Sequence, residues 1–153
     1  MTREDRRTVL DIIQATEMFT PDEITVAAEL IDIYLDQPEQ RDYCLVVAEN
    51  EDGRVVGYLS YGPTPLTEGT YDLYWMAVAS GEQGRGHGRE LVNWLEEEVR
   101  AAGGRMILIE TSSQPKYEKT RRFYTGLNYQ EVSRIPDFYR KGDDCITYVK
   151  SLN

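Results

Sequence analysis

The sequence is poor in the residues that metal-based and nucleophile-based enzymes rely on. Its 153 residues hold one histidine, His87, and two cysteines, Cys44 and Cys145. One histidine and two scattered cysteines do not make a zinc site, and no metal is expected. A Ser-His-Asp triad would have to draw its histidine from inside a run of glycines. Neither cysteine belongs to a C-x-x-C pair. Both lie in apolar or strand-like surroundings, as buried thiols in a reducing, cytoplasmic compartment would. No apolar run approaches the roughly 18 residues of a membrane span. The opening MTREDRRTVLD lacks the apolar stretch of a secretory signal. Positive charge is scarce too, with 17 Lys and Arg against 27 Asp and Glu, a net charge of −10. That balance argues against unaided nucleic-acid binding and is compatible with a cationic substrate.

What remains is an ordinary globular composition, 41% hydrophobic and 29% charged. The length suits one domain over residues 1–153, large enough to bury a core without disulfides. Thr2 to Asp5 reads T-x-x-D and opens a helix to about Phe19. TPDE, Thr20 to Glu23, restarts a second helix that ends before Pro38. The period then switches. Strands are predicted over Tyr43 to Glu49, Arg54 to Gly62 and Thr70 to Ala79, the first two joined by the turn NEDG. A helix follows to about Ala102, with Leu91, Leu95, Val99 and Ala102 as its buried stripe and Glu96 paired with Arg100. RMILIE, Arg105 to Glu110, reads as a strand buried on both faces. A last helix spans about Pro115 to Leu127, ended by Asn128 in the left-handed conformation. Two strands, Tyr129 to Ile135 and Cys145 to Leu152, close the chain around the connection PDFYRKGDD. The order ααβββαβαββ predicts an α/β fold. Its mixed, mostly antiparallel sheet has a central parallel pair, made by the crossover from Thr70 to Glu110, and helices on both faces.

The most informative stretch is SGEQGRGHGREL, 80–91. A phosphate loop of the G-x-x-x-x-G-K-[ST] kind fails, because His87 and Gly88 stand where Lys and Ser or Thr are needed. A G-x-G-x-x-G fingerprint fails at Glu90, in the place of the third glycine. Backbone N–H groups at a helix start, with Arg85 and Arg89 beside them, would still attract an anion. A glycine turn without a ligand is the plain alternative.

Read with its neighbours, Gln83-Gly84-Arg85-Gly86-His87-Gly88 fits Q/R-x-x-G-x-G/A. Preceded by the strand LYWMAV, it resembles the pyrophosphate loop of the GNAT superfamily of N-acetyltransferases. RRFYTGLNY, 121–129, resembles that family's F-Y-x-x-x-G-F/Y segment on the last helix. The resemblance covers nearly the whole chain, with departures. The family's first strand is missing or very short here. Tyr117, Thr120 and Asn128 stand where the family often has Asn, Ala and Gly.

The resemblance implies acetyl-coenzyme A as donor and a primary amine as acceptor. It implies pyrophosphate contacts from Gln83, Gly84, Arg85, Gly86, His87 and Gly88, with Gly86 and Gly88 carrying the weight and Gly84 a spacer. Met76, Ala77 and Val78 would line the cofactor, with a strand bulge exposing an N–H near Ala77 and Val78. Tyr117, Thr120 and Phe123 of the last helix are the remaining cofactor residues. Tyr124 matches the family's general acid. Asp72 aligns with the glutamate base of the family's histone acetyltransferases, and Glu110, ending the apolar strand, competes for that role. Asp72 and Tyr74 should share one face of the strand, Leu73 and Trp75 the other. The acceptor is open among a small amine, an amino acid, an aminoglycoside and a protein N-terminus. Tyr58, Tyr61, Tyr71, Tyr74, Trp75, Phe138 and Tyr139 are candidates to hold an organic cation, and PDFYRKGDD is a candidate rim. A homodimer through the C-terminal strands is implied as common in the family. A non-catalytic acyl-coenzyme A binding module is the alternative function.

Overall fold

In the computed structural model, residues 1–152 are described. TPDE starts a helix as expected. The Thr20 hydroxyl accepts from the Glu23 N–H at 3.3 Å, and the Glu23 carboxylate accepts from the Thr20 N–H at 2.7 Å. With Pro21 in the first turn this complete capping box launches α2, Pro21–Asp36. The box of the first helix is only half made. The Asp5 carboxylate accepts from the Thr2 N–H (2.6 Å), but the Thr2 hydroxyl also donates to it (3.0 Å) and caps nothing. The helix α1, Asp5–Ala15, is shorter than predicted. Glu17 takes a φ of 55°, which turns the chain out of the helix well before Phe19.

Six strands and two further helices follow in the predicted order. They are β1, Cys44–Glu49; β2, Val55–Pro63; β3, Thr70–Val78; α3, His87–Ala101; β4, Met106–Ser112; α4, Glu118–Thr125; β5, Gln130–Arg140; and β6, Asp143–Ser151. They form one sheet ordered β1-β2-β3-β4-β6-β5, in which only β3 and β4 run parallel. Among the described residues no strand precedes α1.

Alternation along the strands feeds two cores. Leu59, Leu73, Ile107, Ile109 and Ile146 pack with Leu91, Val92, Leu95 and Val99 of α3 and Tyr124 of α4. Leu45, Tyr58 and Ala77 point the other way, onto Val9, Ile12 and Ile13 of α1 and Ala27 and Ile31 of α2. Ala102, assigned to the buried stripe of α3, is exposed, because the helix ends one residue before it. Glu96 does meet Arg100 (3.5 Å), but it is buried, and its nearer partner is Lys150 of β6 at 2.7 Å.

Two boundaries differ usefully from the prediction. The last helix is preceded by a 3-10 turn, Pro115–Tyr117, and starts only at Glu118. Asn128 ends it at φ 67°, as its side chain permits. PDFYRKGDD is not a loop. β5 runs on to Arg140 and turns at Lys141 and Gly142 into β6. Pro136 marked a strand end in the sequence, yet β5 is the edge of the sheet, where a missing N–H costs no ladder bond. The ladder breaks between Ile135 and Arg140, and the Asp137 N–H there donates to the Asp144 carboxylate at 3.1 Å.

Candidate active site

The parallel ladder is short. It runs from Thr70 opposite Met106 to Leu73 opposite Ile109 and stops. The cause lies on the other side of β3. Ser60 of β2 faces Trp75 while Tyr61 faces Leu73, so Tyr74 is an extra residue, a β-bulge. The bulge bends β3 away from β4 and reverses the alternation beyond it. Leu73 faces the α3 side, whereas Trp75 and Ala77 face the α1 side. The expected pairing of Leu73 with Trp75 on one face is thereby corrected. Past the bulge the Ala79 N–H donates to Val56 of β2 at 2.8 Å. Strand alternation therefore turns the N–H groups of Val78 and Met76 the opposite way, into the gap beside β4.

The gap is the floor of a cleft of about 520 Å³. Of the cofactor residues named from the sequence, Met76, Ala77, Val78, Gln83, Gly84, Gly86, Gly88, Tyr117, Thr120 and Phe123 all line it, as do Tyr124 and Glu110. Gly86 is the N-cap of α3 at φ 102°, and no side chain caps the helix start. The first N–H groups of α3 thus keep their capacity for an anion, reinforced by the helix dipole. Gly84 stands at φ 79°, so it is more than a spacer: both glycines hold a conformation that side chains disfavour. Gly88 has a different role. A Cβ there would sit 3.3 Å from the Phe123 ring, so it lets α3 and α4 approach each other.

Two loop residues do not line the cleft. Arg85 reaches back to Glu82 at 3.3 Å. His87 is tucked between Glu82 and Glu90, at 3.5 Å from each, and its Nδ1 is buried without a hydrogen-bond partner. The cations that do line the cleft are Arg89 and Lys119. Lys119 lies one turn before Phe123, a spacing visible in the sequence. Thr16, Met18 and Phe19 also line it, with no sequence signal, because only the tertiary fold brings the α1–α2 connection there.

Tyr124 is 4% exposed, and its ring is packed against Phe123, Tyr129 and Tyr148. Burial alone pushes its pKa above the ordinary tyrosine value, so the hydroxyl keeps its proton.

Asp72 lies elsewhere. It lines a second cleft, of about 770 Å³, on the α1 side of the sheet, and its carboxylate accepts from the Thr64 hydroxyl at 2.7 Å. Glu23, Glu110, Asp143, Tyr117 and Tyr139 also line this cleft. Buried Asp143 accepts from Gln114 at 2.8 Å and from the Ser112 hydroxyl, and lies 3.5 Å from Arg140. Tyr139, Arg140 and Asp143 bring PDFYRKGDD to this rim. Of the expected cation-holding aromatics, Tyr74, Trp75 and Tyr139 line the cleft, while Tyr58 and Tyr61 are core. The two clefts meet at Phe19, Leu73, Tyr74, Trp75, Glu110 and Tyr117, which line both. Among the described residues no group of His, Cys, Asp and Glu is placed to hold a metal ion, and no helix is long and apolar enough to cross a membrane.

A sheet splayed at one bulge, with a glycine loop and helix start at the mouth of the opening, defines an acetyltransferase fold. The chain belongs to the acetyltransferase (GNAT) family, whose model matches residues 9–129. Over 108 residues it is 32% identical to an uncharacterized N-acetyltransferase of Methanocaldococcus jannaschii, covering 70% of this chain and 65% of that relative, less than two thirds of its length. The fold matches the crystal structure of a GNAT-family protein from Desulfovibrio desulfuricans at TM-score 0.94 and 42% identity, over 99% of this chain and 94% of that one. It matches an aminoglycoside 6'-N-acetyltransferase complexed with coenzyme A at TM-score 0.76 and 21% identity, over 99% and 93%, a likeness of fold.

Proposed function

We propose that the protein transfers an acetyl group from acetyl-coenzyme A to a primary amine by direct attack on the thioester. The observation that carries this reading is the opened β3–β4 gap. Alternation turns the Val78 and Met76 N–H groups toward it, and its cleft also holds buried Tyr124 and joins a second, acid-lined cleft.

The residues suit the donor. The uncapped start of α3 and the loop at Gly84 and Gly86 would take the pyrophosphate, with Arg89 and Lys119 adding charge. Apolar walls from Met76, Val78 and Phe123 suit the chain between pyrophosphate and thioester. Acetyl-coenzyme A supplies the activated carbonyl, and the rest falls to the chain. The amine arrives mostly protonated, since its pKa is roughly 10. Glu110, which lines both clefts, would accept that proton directly or through water, and Asp72 of the second cleft would orient the ammonium group. As the amine nitrogen bonds to the carbonyl carbon, charge develops on the carbonyl oxygen. The Val78 and Met76 N–H groups would stabilise it. The carbon–sulfur bond then breaks, and Tyr124 would give its proton to the departing sulfur.

The test is a melting curve with acetyl-coenzyme A, followed by thiol release over a panel of amines. A raised Tm and thiol release dependent on both amine and protein are expected. Gly86→Ala, which forces a side chain to φ 102°, should weaken acetyl-coenzyme A binding about tenfold. Binding without thiol release on any amine would leave an acyl-coenzyme A binding module instead.

A further inference from the structure

The α1–α2 connection, 16–20, lies where the two clefts meet. Met18 lines the first cleft, Thr20 the second, and Phe19 both. Two donors converge on one atom of this strap. The Tyr117 hydroxyl donates to the Met18 carbonyl oxygen at 2.9 Å, and Lys116 Nζ donates to the same oxygen at 2.7 Å. Both donors belong to the 3-10 turn ahead of α4, nearly a hundred residues along the chain from Met18. Lys116 Nζ also lies 5.2 Å from the centre of the Tyr117 ring. The next strap residue is clamped from the other side, with the Phe19 ring 5.3 Å from Trp75 of β3. The strap therefore ties the turn ahead of α4 to β3 across the junction of the clefts.

We propose that Lys116 and Tyr117 are positioning residues that latch this strap shut. The latched strap makes the acceptor reach the thioester through a doorway framed by Phe19, Trp75, Tyr117 and Glu110, which selects primary amines carried on an unbranched carbon. The selection rests on the transferase reading above. An ammonium on a slim alkyl neck suits a doorway of aromatic faces and one carboxylate. A substituent on the carbon bearing the nitrogen would have to push a ring aside. While Met18 is tied, the neighbouring Phe19 ring is held tilted against Trp75, with centroids 5.3 Å apart. Burial, and then the Glu23 and Asp143 charges, raise the Tyr117 pKa to about 12, so its hydroxyl remains a donor throughout the neutral range.

The decisive variant is Tyr117→Phe with Lys116→Met, which keeps the ring and the alkyl stem and removes both donors. Two measurements are made on the full chain. Hydrogen exchange at the strap amides should quicken about tenfold or more, the equivalent of two net hydrogen bonds, with the strand amides unchanged. Thiol release is then compared over paired amines that differ only by a methyl group on the carbon bearing the nitrogen. The kcat/KM ratio of branched over unbranched amines, both measured at saturating acetyl-coenzyme A, should rise about tenfold. Unchanged strap exchange overturns the latch. Faster exchange with an unchanged ratio overturns the selection, as does an equal loss on both members of each pair, which a merely structural role would give. If the wild type binds acetyl-coenzyme A but acetylates no amine, the transferase reading fails and the selection with it, while strap exchange still decides the latch.

Discussion

Replacing Tyr124 by Phe separates proton donation from packing more cleanly than any other change in the site. The ring is held by three aromatic neighbours with centroids 5.4, 6.0 and 6.3 Å away, all of which a phenylalanine retains. Only burial perturbs the hydroxyl, so its removal strands no partner. Stability should therefore stay within about 1 kcal/mol of wild type, a shift of about 2–4 °C in Tm for a chain of this size. Turnover should not survive so well. A positioned general acid contributes about 10²- to 10⁴-fold, or about 2.7–5.4 kcal/mol of barrier. The assay is thiol release at saturating amine, with the acetyl-coenzyme A Kd measured by calorimetry. A large fall in kcat at unchanged Kd is expected. The pH profile adds a second check. Because burial raises the Tyr124 pKa, the wild-type rate should keep rising as the amine loses its proton toward pH 10, with no alkaline fall from loss of the acid. A Tyr124→Phe protein that keeps its kcat within about twofold would refute proton donation by this residue.

Two further outcomes concern the scaffold. Tyr58, Tyr124 and Tyr129 are all buried with raised pKa values, so their neutral forms stabilise the fold fully below the unfolded pKa near 10. That stability should drain as pH climbs above 10, approaching about 4 kcal/mol per pH unit for three groups. Urea melts between pH 8 and 11 should show it, and an unmoved midpoint would contradict it. Lys150→Met leaves Arg100, at 3.5 Å, as the ion-pair partner of the buried Glu96 carboxylate, and should cost about 3–5 kcal/mol less what Arg100 recovers. Adding Glu96→Leu should restore most of the loss in a thermal melt, because no buried charge remains.

The order of elements was legible in the sequence because its signals are local: the capping box at Thr20, the period switch at Tyr43, the glycines after Val78. The loop and the last helix were legible as a pair of motifs, and the structure brings those motifs to one cleft. The resemblance implied a bulge near Ala77 and Val78, but it lies at Tyr74; its place was not legible, because an extra residue is defined by what it faces on β2. The same holds for Asp72, whose face follows from alternation but whose cleft depends on where α1 and α2 leave the sheet uncovered. Pro136 misled for an instructive reason: proline forbids a central strand, and only the sheet order reveals that β5 is an edge. Arg89 and Lys119 needed no new signal beyond spacing, whereas Met18 and Phe19 carried none.

The four-residue parallel ladder between β3 and β4 has one more consequence. Among the described residues it is the one ladder that joins two half-sheets, β1-β2-β3 and β4-β6-β5. Each half has antiparallel ladders of its own, so each can hold local structure after the seam lets go. The protein should then open in two cooperative blocks under mild denaturant, the seam amides exchanging earlier than those of either half. A molecule bound across the gap would staple the blocks together. Its signature would be a sharper unfolding transition as well as a higher midpoint.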